Sequence, residues 1–218
     1  MPDLTAPLPP SGDDLRASLG DPGRSASEKK IDHLDDACRE VLAASPFVVV
    51  ATSGADGSCD ASPRGGPPGF VRVLTPHRLA IGELPGNRLF DGADNLAENP
   101  HAALLVLVPG VRETLRIEGR AHLSTDQDVR RATAIDGREP WGALVLDVER
   151  AFVHCGKSLT RSRLWDPDSW LPADRRPRMA GVLAAHLAAN RDSGEPTTGD
   201  SVETVEADLE EAYRLRLW

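Results

Sequence analysis

Arg64 and Arg88 both stand in turn-forming contexts, in the runs SPRGG (62–66) and PGNR (85–88). Proline fixes φ and glycine frees it, so such turns bend sharply and bring the backbone close to a ligand. A guanidinium donates two parallel hydrogen bonds from a planar fork, which suits a phosphate. Ser62 adds a hydroxyl and Asn87 an amide beside the arginines. A helix predicted over 88–99 starts at the second turn, and the amides and positive dipole end of a helix N-terminus favour an anion. Together these residues make a candidate phosphate cradle. Two solvated arginines on surface turns would carry the same local pattern, so the decision rests on whether the fold brings the turns together.

The other chemistry-bearing runs are weaker. HCGK (154–157) puts a histidine beside a cysteine, but adjacent residues do not readily supply two ligands to one tetrahedral zinc. Lys157, Arg161 and Arg163 form a basic run in an acidic chain, as fitting for a salt-bridged surface turn as for anion binding. No GxGxxG, Walker, HExxH or GxSxG motif occurs in its expected setting, and no Ser-His-Asp set is evident. Any chemistry therefore falls to a bound cofactor that the protein positions.

The elements that must hold these residues are mostly short strands. Apolar runs predict strands over 47–52, 70–74, 79–84 and 102–108, and the turn at 53–57 predicts a hairpin partner strand over 58–62. The clearest alternation follows: Leu115, Ile117, Ala121 and Leu123 interleave with Thr114, Arg116, Glu118, Arg120 and His122. That is a half-buried strand with one polar face. A short helix over 125–135 and a last strand over 141–153 complete the set. Many strands with hairpin-sized connections point to an antiparallel barrel rather than a parallel α/β sheet. Before them, capping-box spacing at 25–28 predicts a helix that buries Ile31, Leu34, Cys38, Val41 and Leu42 and stops at Pro46. After them, Met179, Val182, Leu183, His186 and Leu187 share one helical face, a linker spans 193–200, and a final helix begins near Ser201 with the stripe Val202, Val205, Leu209 and Tyr213. The expected division is a disordered or extended arm over 1–24, a barrel domain with an N-terminal helix over 25–170, and a helical extension over 171–218.

A formal net charge of −9 over 218 residues opposes binding to nucleic acid or an anionic membrane. Aromatic residues make up only 4% of the chain, which leaves few platforms for stacked bases. No apolar run reaches membrane-spanning length, and the acidic, proline-rich start is unlike a secretory signal. Cys38, Cys59 and Cys155, an odd number without close spacing, fit free thiols in a reducing cytoplasm. The expected protein is cytoplasmic, with neither nucleic acid nor membrane as a partner.

From about residue 43 to 170 the chain resembles the pyridoxamine 5′-phosphate oxidase-like family of FMN-binding split β-barrels. The runs FVVVATSGADG, SPRGGPPGFVRVL, PGNRLFDGADNLAENPHAALLVLVPG and TLRIEGRA carry the resemblance, above all the helix ending in LAENP before an apolar strand. HCGKSLTRSRLWDP is similar to a flavin-associated subgroup. The resemblance implies a mainly β (α+β) fold, an antiparallel split β-barrel with peripheral helices, paired as a homodimer with FMN in the groove between subunits. It implies Arg64 as a strand-borne phosphate arginine flanked by Ser62 and Gly65, and Asn87 with Arg88 as a second polar-arginine pair. Asn95 would lie on the helix that follows, and Lys157, Arg161 and Ser162 would reach the cofactor from the C-terminal segment. The implied activity is flavin-dependent oxidation or reduction of a small organic substrate. The deazaflavin F420 in the same groove is the alternative cofactor, and a flavin or haem carrier without turnover is the alternative of a different class. Residues 214–218 do not match the substrate-binding end of true pyridoxamine phosphate oxidases, and GPPG (66–69) interrupts the family's phosphate-binding run. The resemblance thus implies flavin binding rather than vitamin B6 oxidation.

Overall fold

Alternating side chains on short antiparallel strands build the molecule. A computed structural model describes residues 11–86, 88–190 and 201–215. Helices α1 (Gly12–Leu19), α2 (Arg24–Glu28) and α3 (Asp36–Ala44) precede strands β1 (Phe47–Ser53), β2 (Cys59–Gly65), β3 (Val71–Thr75) and β4 (Arg78–Glu83). Helix α4 (Asp91–Glu98) leads to β5 (His101–Leu107) and β6 (Thr114–Ser124), then α5 (Gln127–Ala132) and β7 (Gly142–His154). Helices α6 (Lys157–Ser162), α7 (Met179–Ala189) and α8 (Val202–Leu215) follow.

The seven strands form one antiparallel sheet in the order β2-β1-β5-β6-β7-β4-β3. Strands β2 and β3 are its two edges, yet Arg64 of β2 meets Glu83 of β4. The sheet is therefore rolled so that its ends face each other across an open seam, which is the expected split barrel in a sheet-dominated α+β fold. Inward residues Val48, Val50, Leu104, Val106, Leu115, Ile117 and Leu146 fill the barrel, each at most 3% exposed. A bulge in β7 at Glu149, the extra residue opposite the Glu118–Gly119 step of β6, bends the ladder around this core. There a Cβ on residue 119 would lie 1.9 Å from the Asp147 carbonyl oxygen, so only glycine fits.

Helix α3 plugs the barrel with Cys38 and Leu42, joined by Leu34. Its N-cap is Asp35, whose carboxylate accepts from the Cys38 amide at 2.8 Å. The single helix predicted from residue 25 is instead two, because Ile31 exchanges backbone hydrogen bonds with Ala151 of β7, at 3.0 and 2.8 Å. That bridge takes 29–35 out of helix and lays the Lys29 and Lys30 ammonium groups over the Phe152 ring. Within 11–24, α1 is a capped helix with no buried residue.

At the other end, α7 and α8 pack on each other through Ala180, Ala184 and Val205, with Val202 and Leu209 beside them. The predicted α7 stripe is corrected: Met179, Val182, Leu183 and Leu187 are exposed and Ala180 and Ala184 are buried. Small side chains let the two backbones approach, and the larger ones then cannot share that face. Tyr213 is also exposed. The predicted linker over 193–200 lies outside the described residues. No helix among those described is long and apolar enough to cross a membrane.

Candidate functional site

The period of two in β2 sets up the site. Asp60, Ser62 and Arg64 turn inward, while Cys59, Ala61, Pro63 and Gly65 turn outward. The inward residues reach a cavity of about 690 Å³ at the seam, closed on the far side by Ile81, Gly82 and Glu83 of β4 and by residues 84–86 and 88–93. Its walls also include Val50, Phe70, Leu123, Trp141 and Leu144. The cavity thus has a polar end and an apolar wall.

Arg64 is held from several sides. Its Nε and Nη2 donate to the Glu83 carboxylate at 3.4 and 3.3 Å, and its Nη1 donates to the Ser62 hydroxyl and to the Pro63 carbonyl. The Arg64 and Glu83 side chains are 27% and 12% exposed, so the pair is partly shielded from solvent. Arg88 reaches the same cavity from the β4–α4 connection. It takes a left-handed backbone, as does Phe90, with φ of 61° and 59°. Such conformations are costly for side-chain-bearing residues and recur at ligand-binding segments. They also explain why the helix predicted from residue 88 begins only at Asp91. No side chain caps α4, and its first turn, Asp91 to Ala93, lines the cavity. The Asp60 carboxylate and the Thr52 hydroxyl lie beside that turn, each 3.7 Å from where a Cβ on Gly92 would stand.

At the mouth, Phe90 and Trp141 meet edge to face with ring centroids 5.8 Å apart. Trp141 is 44% and Phe90 51% exposed, so this aromatic lip offers free surface to a planar group.

Of the residues predicted from sequence, Ser62, Arg64, Gly65 and Arg88 come together around this cavity. Asn87 lies outside the described residues. Asn95 does not line the cavity; its side-chain amide donates to Thr52 at 3.0 Å and, with the Asn99–Ser53 hydrogen bond, pins α4 to β1. Lys157, Arg161 and Ser162 lie on α6, away from the cavity of the same chain. Val153, just before α6, is in register with Arg64 through Val48, Val106 and Leu115. That is four strands around the rolled sheet, and none of Lys157, Arg161 and Ser162 lines the cavity. The segment from Cys155 onward packs instead on the β5–β6 turn: Gly156 abuts Arg112, and the Trp165 indole donates to the Val111 carbonyl at 2.8 Å.

Glu83, Asp60 and the Phe90–Trp141 pair were not among the residues expected. Glu83 was visible only as the last residue before a turn, and nothing local tells that β4 runs opposite β2 across a seam. The cysteines play no part here. Cys38 is buried, and burial together with the Asp35 carboxylate pushes its thiol up to about 11, so it stays protonated. No group of three or more His, Cys, Asp or Glu among the described residues is arranged to hold a metal ion.

Comparison with known proteins agrees with this architecture at the level of family. The family model for pyridoxamine 5′-phosphate oxidase matches residues 34–155. No curated protein matches the chain. Among solved structures, HupZ of Group A Streptococcus is similar at 15% identity and TM-score 0.45, covering 55% of this chain and 92% of its own. A candidate pyridoxamine 5′-phosphate oxidase from Lactobacillus delbrueckii is similar at 23% identity and TM-score 0.44, with 57% and 98% covered. An F420 reductase is similar at 16% identity and TM-score 0.36, with 53% and 94% covered. Since the family match takes in all seven strands and more than half of the sequence, the chain belongs to the pyridoxamine 5′-phosphate oxidase family.

Proposed function

We propose that this protein binds FMN noncovalently in the seam cavity and uses it to oxidise or reduce a small organic substrate. The observation that carries this reading is the convergence of Arg64, Ser62, Arg88 and the uncapped start of α4 on one cavity beside an apolar wall. Those groups fit the phosphate of a flavin nucleotide, which two guanidiniums and a helix N-terminus neutralise. Val50, Phe70, Leu84, Leu89 and Trp141 fit the ring system. The flavin would supply hydride or single-electron transfer. The chain's own part is to hold the phosphate, fix the ring against the apolar wall and exclude water from one side of it.

The proposal includes a homodimer, supported by the outer face of β2, β1 and β5. In register there, Pro63, Val49 and Leu105 form one row and Ala61, Ala51 and Ala103 the next. The same rows continue on β6 as Arg116 and Glu118, so a charged border flanks an apolar face. The outer face of an antiparallel sheet normally alternates to polar residues. An apolar one calls for a cover, and a second copy of the same face is a self-complementary one. Because β2 turns Ala61 and Pro63 outward and Ser62 and Arg64 inward, a subunit seated on this face would border the cavity.

Titration of the purified protein with FMN, followed by flavin fluorescence, tests the reading. The expected result is saturable binding at one site per chain. Uptake of F420 in place of FMN would reassign the cofactor, and binding of neither would overturn the proposal.

A further inference from the structure

The Arg64–Glu83 pair has a place in the barrel that an ordinary surface ion pair does not. Register fixes it: Val71 pairs with Ile81, and β3 has no residue opposite Gly82 and Glu83. The end of β4 therefore runs past its edge-strand neighbour and faces β2 across the seam. Glu83 is on the inner side there, 12% exposed, with Arg64 as its ion-pair partner. The same guanidinium also donates to Ser62 and Pro63, so three acceptors hold it before any ligand arrives. Arg88, in contrast, has no ion-pair partner among the described residues. The two cavity cations are thus unequal: one is open to an anion and the other is already neutralised by a carboxylate.

We infer that Glu83 is a competitive latch on Arg64, which fixes the specificity of the site for a phosphate monoester over a singly charged anion. The inference rests on the reading of the cavity as a phosphate site. A carboxylate carries one negative charge, whereas a phosphate monoester carries about 1.5 to 2 at neutral pH with three acceptor oxygens. An incoming carboxylate or sulfonate has no electrostatic advantage over Glu83 and leaves the latch shut. A phosphate dianion has that advantage, takes the guanidinium fork and leaves Glu83 to turn toward solvent through the seam. The latch thereby also joins β2 to β4 in the ligand-free barrel, and opening it frees the seam.

The test compares the wild-type protein with Glu83→Gln and Arg64→Ala. Glutamine keeps the shape and a hydrogen-bond acceptor but loses the charge, so the barrel should fold, which thermal unfolding checks. Calorimetric titration with FMN, riboflavin, inorganic phosphate and acetate then reads the latch. The expected result is that Glu83→Gln tightens FMN and inorganic phosphate by about tenfold, the scale of one charge-assisted hydrogen bond. Riboflavin, which has no phosphate, should be unchanged, and acetate should bind more tightly to the variant than to the wild type. Equal or weaker phosphate affinity in Glu83→Gln would overturn the latch. If FMN fails to bind either form while inorganic phosphate still gains from Glu83→Gln, the flavin reading fails and the latch stands. The gain must also vanish when Arg64→Ala is added; a gain that persists there would show that Glu83 acts on the whole cavity rather than on this arginine.

Discussion

Arg88 is the cation of the cavity without an ion-pair partner among the described residues, and it is held in a left-handed backbone at the start of α4. Replacing it removes charge from the site without breaking a pair that the fold uses. Arg88→Ala is therefore expected to weaken FMN binding by about tenfold or more, on the scale of a lost charge-assisted contact. Its thermal unfolding should stay close to wild type. Equilibrium titration with FMN and with riboflavin checks this, and the loss should be confined to FMN. Both arginines were legible in the sequence because Gly and Pro mark the turns that carry them. Their inequality was not, since it depends on Glu83, which is 19 residues from Arg64 in the chain and meets it only across the seam. Asn95 illustrates the converse: its spacing after Arg88 places it correctly on α4, but the helix turns its amide to Thr52.

At the scale of elements, two local devices set the barrel's shape and are open to measurement. The first is the bulge in the β6–β7 ladder, where a side chain at residue 119 would collide with the Asp147 backbone. Gly119→Ala should destabilise the protein at or above the upper end of the roughly 1–3 kcal/mol typical of overpacking, as read by urea unfolding. The second is the Asp35 cap of α3. The amide and thiol hydrogen bonds from Cys38 hold the Asp35 carboxyl below its ordinary value. Asp35→Ala should cost about 1 kcal/mol at neutral pH. A carboxyl whose folded pKa is depressed stabilises the fold above its unfolded pKa and loses that contribution as pH falls through the folded value. The gap between Asp35→Ala and wild type should accordingly be constant at neutral pH and close as pH drops below about 3.9. Parallel denaturation curves at several pH values would show it. Six of the seven strands were legible as apolar or alternating runs, and β2 as the hairpin partner of β1 after the turn at 53–57. The helix ends were harder: the break between α2 and α3 is made by Ile31 pairing with Ala151, a contact 120 residues away in the chain. In α7 the apolar residues outnumber what one face can bury, so periodicity alone did not tell that Ala180 and Ala184 face α8.

At the scale of the molecule, the rolled sheet puts the cavity residues Ser62 and Arg64 on the inner side of β2 and an apolar face on its outer side. The homodimer predicted from that face should have about twice the chain mass of 23.4 kDa in light scattering. Leu105→Lys, which sets a charge at the exposed end of the Pro63–Val49–Leu105 row, should shift it toward the monomer and leave the far-ultraviolet spectrum intact. If the cavity draws part of its wall from the partner, the same variant should also bind FMN more weakly. The antiparallel barrel was foreseeable because short strands with hairpin connections admit few other closures, and the family with its split barrel was foreseeable only through the resemblance carried by runs such as SPRGG and LAENP. The reach of α6 was not, because its place depends on packing against the β5–β6 turn. The central claim is that the seam cavity is a flavin site, and the visible absorption spectrum of the purified protein tests it most directly. A yellow protein that releases its chromophore as FMN on denaturation is the predicted result. A colourless protein that stays colourless after incubation with excess FMN and desalting would contradict it.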